Sequence, residues 1–257
     1  MTKKMKYPME AFALAAVLFS AGMKEAMIVG IGLVFGDVLQ YVLREFFKKQ
    51  YANTISAVGA ALTCGAMYLM SVLVGITPGA KQVIGFAVLG LLLVKHQESK
   101  KDSDENTVTD YNAVLTADAI AYGFYVLLAI VREYLAGATI FGFNLPETAI
   151  VSSSYGKPML ALIGAGIMAA LINRVLKADS DANAGLWVGI PAILLEVPFV
   201  WNHAPEWIGT IVGVAVVGVI YVTLRKKLVF SNTEKHIEGL SVELVMLGII
   251  YMIFGLL

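Results

Sequence analysis

The run AVLTADAIAYGFYVLLAIVREYL occupies residues 113–135 and carries charge only near its two ends. Asp118 lies close to its start, and Arg132 and Glu133 lie close to its finish, so that residues 119–131 are uncharged. A helix that crosses a bilayer needs about 20 mainly apolar residues. The run therefore predicts a transmembrane helix with charged groups near both boundaries.

The composition of the whole chain agrees with this interpretation. Of the 257 residues, 58% are hydrophobic and only 15% are charged, and the mean hydropathy is +0.77. A soluble domain of this length has far more charge, so we expect the lipid bilayer to be the main partner of its surface. The formal net charge is zero, which gives no electrostatic reason to expect nucleic-acid binding.

Apolar runs interrupted by short polar loops continue along the chain, and no long linker separates them. We therefore expect a single membrane domain over residues 1–257: an all-α polytopic protein with eight to nine hydrophobic segments. The segments are about 9–23, 26–46, 54–75, 82–94, 113–135, 158–176, 186–201, 206–224 and 238–257. Those at 9–23, 82–94 and 186–201 are short and contain Gly or Pro, which is typical of broken or tilted membrane helices.

Lysine and arginine are concentrated in alternate loops. If all nine segments cross, the basic clusters fall on one side, which the positive-inside rule assigns to the cytoplasm. They are Lys3, Lys4 and Lys6; Arg44, Lys48 and Lys49; Lys95, Lys100 and Lys101; Arg174 and Lys177; and Arg225, Lys226, Lys227 and Lys235. We expect a protein integral to the cytoplasmic (inner) membrane of a bacterium or archaeon, with residue 1 inside.

Three segments end alike, in an apolar Gly-containing helix followed by Arg and, directly or after a short interval, further charged residues. They are residues 30–47, 121–135 and 213–228, with Arg44, Arg132 and Arg225 at the corresponding positions. On the predicted topology the middle copy runs opposite to the others, as in inverted structural repeats. Shared composition is the alternative explanation.

Charged side chains inside apolar runs are the candidate functional residues. Ionised carboxylates at bilayer depth cost at least about 2.5 kcal/mol, so they usually face a bundle interior or water. Asp37 and Glu196 are the most deeply embedded and are the first candidates for an ion or proton pathway, followed by Asp118, Glu133 and Arg132. The alternative is structural: pairing with a buried base or backbone donor, or, for Arg132 and Glu133, helix capping at an interface.

No soluble-enzyme motif is present, and no catalytic residue, metal ligand set or cofactor site is predicted. The lone Cys64 lies in an apolar segment, where a small helix-contact residue is expected.

The block VREYLAGATIFG at 131–142, preceded by ADAIAYGFYVLLAI, resembles the integral membrane subunits of the Rnf and Nqr ion-translocating electron-transport complexes. With IGFAVLGLLLV at 84–94, FGFNLP and the helix at 158–176, residues 26–176 look like the RnfE/NqrD type. GIPAILLEVPFVW and the stretch from TLRKKL to the last residue look like the RnfA/NqrE type over residues 186–257. The resemblance implies inverted repeats, broken helices and assembly with other membrane subunits.

In that family, cysteines in short membrane elements hold an iron–sulfur cluster at the subunit interface. The corresponding regions here are FSAGM at 19–23, LLVKH at 92–96 and EVPFV at 196–200, which contain no cysteine. The resemblance therefore implies no cofactor in this chain, with any iron–sulfur or flavin group held by partner subunits.

Three functions remain open at this point. The least specific is a membrane assembly or anchoring factor whose charged residues are structural, and the other two involve ion movement. The first is a membrane subunit of an Rnf/Nqr-like complex, a divergent paralogue without the cluster that serves as scaffold or as pathway for sodium ions or protons. The alternative is a secondary transporter or permease without redox chemistry, since embedded acids and broken helices suit it equally well.

Overall fold

The computed structural model describes residues 6–47, 51–103, 111–178, 184–196, 205–227 and 239–254. These residues form nine α-helices, which confirms the all-α prediction. The helices are α1 (Met9–Phe19), α2 (Met23–Phe46), α3 (Ala52–Leu73), α4 (Ala80–Ser103), α5 (Tyr111–Gly137), α6 (Pro158–Leu176), α7 (Ala184–Glu196), α8 (Glu206–Lys227) and α9 (Leu240–Phe254). One small hairpin, β1 (Thr139–Ile140) and β2 (Phe143–Asn144), and a 3-10 turn at Ser153–Gly156 connect α5 to α6.

Four of these helices are long and apolar enough to cross a membrane: α2, α3 from Thr54 to Leu73, α5 and α6. Their length and composition indicate a membrane protein. The crossing of eight or nine segments stays a prediction.

The helix that contains the predicted apolar segment 82–94 is longer than that segment, because α4 runs from Ala80 to Ser103, 24 residues. The apolar signal stops at Val94, but the sequence that follows, KHQESKKDS, contains neither Gly nor Pro and is rich in good helix formers, so the helix continues. The predicted loop at 95–112 is therefore helical over its first half. By contrast, α1 and α7 are short, with 11 and 13 residues; residues 197–201 of the predicted seventh segment lie outside the described part.

Helices α2 and α5 pack antiparallel. At one end the Tyr111 hydroxyl donates a hydrogen bond to Glu45 Oε2 at 2.6 Å, and at the other the Met23 backbone N–H donates to Glu133 Oε2 at 2.6 Å. We call these the Arg44 end and the Glu133 end of the molecule. On the predicted topology the Arg44 end is cytoplasmic.

The short helix α1 lies at the centre of the fold. It packs against α2, α4, α5, α6 and α7, and Ala11 to Ala16 are at most 1% exposed. Its 11 residues cover about 16 Å, roughly half of a bilayer core. Because protein surrounds α1 on all sides, its ends do not have to reach the bilayer surfaces.

Small residues bring α6 and α9 close together. A Cβ added at Gly166 would lie 2.6 Å from the Ser241 carbonyl oxygen, and one at Gly248 would lie 2.8 Å from the Met159 carbonyl oxygen. Backbone contact of this kind is how membrane helices pack tightly without a hydrophobic driving force.

Candidate functional site

Asp37 lies inside the α2–α3–α4 bundle. It is fully buried, and its Oδ1 accepts a hydrogen bond from Gln97 Nε2 of α4 at 2.8 Å. It lies nine positions before Phe46, the last residue of the helix, which places it about 13 Å from the Arg44 end. The carboxylate is therefore inside protein and held by a neutral amide.

Two further polar side chains of α2 continue from Asp37 towards the Arg44 end. Gln40 and Arg44 follow at helical spacing, and both contact Ser56 of α3: Gln40 Nε2 donates to the Ser56 carbonyl at 3.5 Å, and an Arg44 Nη donates to the Ser56 hydroxyl at 2.9 Å. The same Arg44 nitrogen lies 3.6 Å from Glu98, whose side chain is 57% exposed. These polar side chains therefore form a row from the buried Asp37 to the surface, which we call the polar row; its members are Asp37, Gln97, Gln40, Arg44 and Glu98.

Asp118 of α5 is also fully buried. The end contacts of the α2–α5 pair, Glu45 with Tyr111 and Met23 with Glu133, fix the antiparallel register. Seven residues after Tyr111 in α5 is Asp118, and seven residues before Glu45 in α2 is Val38. Asp118 therefore lies at the level of Val38 and its neighbour Asp37. The structure therefore brings two of the predicted carboxylates to the same level of two adjacent helices.

Arg132 is 5% exposed and binds the end of α1. Its Nη1 donates to the Ser20 hydroxyl at 2.5 Å and to the Ala16 carbonyl at 3.4 Å. Its Nη2 donates to the Gly156 carbonyl at 3.1 Å, and its Nε to the Tyr155 carbonyl at 3.3 Å. The guanidinium joins α5 to the last turn of α1 and to the turn before α6, where free carbonyls favour a cation.

Glu133 binds the beginning of α2. One carboxylate oxygen accepts from the Met23 N–H at 2.6 Å and the other from the Gly142 N–H at 3.2 Å. Both central residues of the β1–β2 turn, Phe141 and Gly142, have positive φ values of 59° and 80°, as a type I′ hairpin turn requires. Glu133 therefore caps α2 and ties this turn to it.

Glu196, at the end of α7, lies at the Glu133 end, away from Asp37 and Asp118. It interacts electrostatically with Lys81, Arg132 and Glu25. The five predicted pathway residues thus fall into two groups: Asp37 and Asp118 inside the bundle, and Arg132, Glu133 and Glu196 around the α1–α2 junction.

The sequence interpretation missed Gln97 and the role of Gln40. Gln97 falls in the predicted loop after residue 94, because hydropathy decreases at Lys95. A signal for Gln40 was present, since Asp37, Gln40 and Arg44 have the spacing of one helix face.

The predicted repeat can be followed only in part, because the Arg225 side chain lies outside the described residues. Arg44 and Arg132 lie near opposite ends of the antiparallel α2–α5 pair, and the inverted repeat stays a prediction. Cys64 is half-buried and packs against the core. Within the described ranges, no three or more His, Cys, Asp or Glu side chains lie close enough together to hold a metal ion.

Comparison with protein-family models, with curated proteins and with solved structures finds no match to this chain. The resemblance to the Rnf and Nqr membrane subunits stays a prediction.

Proposed function

We propose that this chain carries a small cation, a proton or a sodium ion, through its α2–α5 region as a membrane subunit of an Rnf/Nqr-like complex. The observation that carries the proposal is the pair Asp37 and Asp118, both fully buried and at one level of adjacent helices. Acidic side chains within membrane segments commonly mark ion and proton pathways.

The polar row connects Asp37 to one surface of the protein. Gln97, Gln40 and Arg44 supply donors and acceptors between the carboxylate and the exposed Glu98. A proton could pass along such groups with bound water, and a cation could be held by their oxygen atoms. The Arg44 guanidinium lies 3.6 Å from Glu98, and this carboxylate offsets the charge that would otherwise repel a cation at this end.

In this proposal Arg132 and Glu133 have a structural part: they hold the α1–α2 junction against α5. Redox chemistry, where the complex has it, belongs to partner subunits that hold iron–sulfur or flavin groups. The chain supplies the membrane passage and the surface on which such subunits assemble.

The first experiment is purification from native membranes in mild detergent, with co-purifying proteins identified by mass spectrometry and with iron and flavin measured. Stoichiometric recovery of flavin- or iron–sulfur-bearing proteins is the expected result. A homogeneous preparation of this chain alone, free of iron and flavin, would contradict membership of such a complex.

The second experiment tests the pathway itself. The native complex is reconstituted into vesicles, and sodium uptake and internal pH are followed for the wild type, Asp37→Asn and Asp118→Asn, with Glu147→Gln, an exposed loop residue, as the matched control. We expect both Asp variants to lose most of the flux and the control to retain it. Full flux in both Asp variants would exclude the pathway.

A secondary transporter that acts without partners is the second candidate. It is favoured by the distribution of polar groups in the α2–α3–α4 bundle, where Glu25, Ser71 and Gln82 lie at the Glu133 end and the polar row lies at the Arg44 end. Between them, Leu33, Met67 and Leu89 are fully buried and apolar. Flux by the chain alone in vesicles, sensitive to Asp37→Asn, would favour this function.

A further inference from the structure

The side chain of Gln40 is enclosed by protein, and one of its two polar atoms lacks a donor. The residue is fully buried, and its Nε2 donates to the Ser56 carbonyl oxygen at 3.5 Å. Among the described residues, no donor lies within hydrogen-bond distance of Gln40 Oε1. Because a buried acceptor without a donor is costly, this oxygen indicates a hydrogen that the heavy atoms alone do not show.

The donor belongs on the side of Gln40 that leads to Asp37. Ser56 lies near the beginning of α3 and also binds Arg44, so Gln40 Nε2 points towards the Arg44 end. The oxygen is the other branch of the planar amide and diverges from that direction, towards the interior of the bundle. Asp37 lies three residues before Gln40 on α2, and side chains at this spacing are neighbours on one helix face.

The hydroxyl group of Thr63, which also lies between α2 and α3, does not supply this donor. Thr63 is fully buried, and its hydroxyl already donates to the Gly59 carbonyl at 2.8 Å. The carboxyl group of Asp37 can supply a donor to Gln40, but only when it carries a proton.

The hydrogen bond on the other side of Asp37 fits the protonated form as well. Gln97 Nε2 donates to Asp37 Oδ1 at 2.8 Å. A protonated carboxyl group has one accepting oxygen and one donating hydroxyl, whereas an ionised carboxylate only accepts. One amide N–H on one side and one amide oxygen on the other therefore complement a carboxylic acid. An ionised Asp37 would place negative charge beside the Gln40 oxygen at a site that excludes water.

Close helix packing around this position favours a proton over a metal ion. A Cβ added at Gly36 would lie 2.5 Å from Thr63 Cγ2 of α3 and 2.7 Å from Leu93 Cδ1 of α4. The amide of Gln40 lies directly against Gly59 in the same way. Where helices leave no room for a methyl group, a sodium ion with its oxygen ligands has little space, whereas a proton needs none.

Charged groups on the neighbouring helices also bear on Asp37. Helix α3 carries none. Glu10 of α1 is bound to Lys95 of α4, and His96 lines the same cavity as this pair, at the beginning of α1. Asp118 of α5 lies at the level of Asp37, and a neighbouring carboxylate favours a proton on it.

Arg44 acts in the opposite sense, because its charge favours ionised Asp37, with which it interacts electrostatically. It lies seven positions further along α2, about 10 Å. Its guanidinium binds Ser56 and lies 3.6 Å from Glu98. The Glu98 carboxylate therefore offsets part of the charge that would keep Asp37 ionised.

We propose that Asp37 carries a proton in the folded protein and donates it to Gln40 Oε1, so that the ion of the pathway proposed above is a proton and not sodium. Only this last step rests on the proposed function. The hydrogen bond itself does not require transport.

The test is infrared spectroscopy of the purified chain, or of the complex if it purifies as one, in detergent at neutral pH. A protonated carboxyl group gives a C=O stretching band that an ionised carboxylate lacks. We expect such a band, shifted by aspartate labelled with carbon-13 in its side chain and lost in Asp37→Asn, whereas the control Glu147→Gln retains it. A wild type without the band, or a band lost in Asp118→Asn but not in Asp37→Asn, would overturn the proposal.

Two amide variants are expected to move the pH titration of this band in opposite directions. Gln40→Met removes the acceptor of the proton, so the proton dissociation constant of Asp37 should rise about five-fold, the equivalent of one hydrogen bond. Gln97→Met removes an N–H that stabilises the ionised oxygen more than the neutral one, so the constant should fall by a similar factor. A shift in the same direction in both variants would be a general effect of packing and would contradict the assignment.

Carbodiimide labelling separates this inference from the proposed pathway. Dicyclohexylcarbodiimide reacts with protonated carboxyl groups inside membrane proteins, and mass spectrometry identifies the modified residue. We expect modification of Asp37 that excess sodium chloride does not reduce. Protection by sodium would mean that a metal cation binds Asp37, which would overturn the proton and leave the pathway intact. Modification of Asp37 without any proton flux in vesicles would contradict the pathway and leave the hydrogen bond to Gln40 intact.

Discussion

Arg132 and Glu133 are adjacent in α5 and bind the ends of two successive helices, with the charge that each end prefers. The guanidinium of Arg132 donates to Ala16 and Ser20, where α1 ends. The carboxylate of Glu133 accepts from the N–H of Met23, where α2 begins. A helix C-terminus is partially negative and an N-terminus partially positive, so this one dipeptide stabilises both sides of the α1–α2 junction.

Replacement of Arg132 by Met is expected to lower the free energy of unfolding by about 2 kcal/mol or more, because two buried and two partly buried acceptors lose a charged donor. Arg132→Lys should recover part of the loss, since an ammonium group reaches fewer of the same oxygens. Thermal unfolding in detergent measures both. Tyr134→Phe, which removes an exposed hydroxyl with long hydrogen bonds to Pro146 and Thr148 at 3.3 and 3.4 Å, is the control at the same helix end. An unchanged Tm in Arg132→Met would show that the guanidinium bonds contribute nothing net.

Glu133→Gln removes the charge and retains one acceptor oxygen. We expect a smaller loss, about 1 kcal/mol, since helix capping and the interaction with the helix dipole each contribute on this scale. Hydrogen exchange should rise at the Met23 and Gly142 amides. If exchange rises equally at amides far from α2 and the turn, the effect is global and Glu133 is not a local cap.

Two glycines allow a matched comparison of helix packing. Gly166→Ala places a Cβ against backbone atoms of α9, at 2.6 Å from the Ser241 oxygen, and should destabilise the protein by about 1–3 kcal/mol. Gly123→Ala in α5 meets nothing within 4 Å and should be neutral or stabilising by up to about 1 kcal/mol, because alanine favours helix. Equal effects of the two changes would contradict close α6–α9 contact.

The Glu10–Lys95 ion pair joins α1 to α4 at the Arg44 end, with nitrogen–oxygen distances of 2.5 and 2.7 Å. The side chains are 13% and 30% exposed, so water screens the pair only in part. A double-mutant cycle with Glu10→Gln and Lys95→Met should give a coupling of about 1 kcal/mol. The Lys95–Trp187 contact, 4.8 Å from nitrogen to ring centre, is lost both in Lys95→Met and in the double mutant, so that it cancels in the cycle. A coupling near zero would mean that the pair is fully screened.

The predicted orientation can be tested by cysteine labelling on a Cys64→Ser background. Glu147→Cys, in the connection between α5 and α6, should react with a membrane-impermeant maleimide in intact cells. Arg174→Cys, in the last turn of α6, should react only after permeabilisation. The reverse pattern would invert the topology, and labelling of both sites in intact cells would mean that α6 does not cross.

The helices could be predicted from the sequence where apolar runs end at Gly, Pro or charge, as α6 does, with Pro158 at its first position and Lys177 after its end. The boundaries of α4 could not, because hydropathy reports solvent preference and not backbone conformation. Among the candidate-site residues, the sequence indicates Asp37 and Asp118, because carboxylates are rare in apolar runs. It does not indicate Gln97, the hydrogen-bond partner of Asp37, since a neutral amide at a helix end carries no such signal. The hydrogen bond between Arg132 and Ser20 could not be predicted either, because the two residues are 112 positions apart.

The enclosure of α1 has a consequence for biosynthesis. It is the first of the described helices to leave the ribosome, yet α6 and α7, which cover much of its surface, are synthesised more than 100 residues later. At about 5–20 residues per second, α1 waits roughly 10 to 30 s for its neighbours while it is too short to span the bilayer alone. We therefore expect an insertase or membrane chaperone to shield Met9–Phe19 during translation, and site-specific crosslinks from Phe12 should move from that factor to α6 and α7 as the chain lengthens.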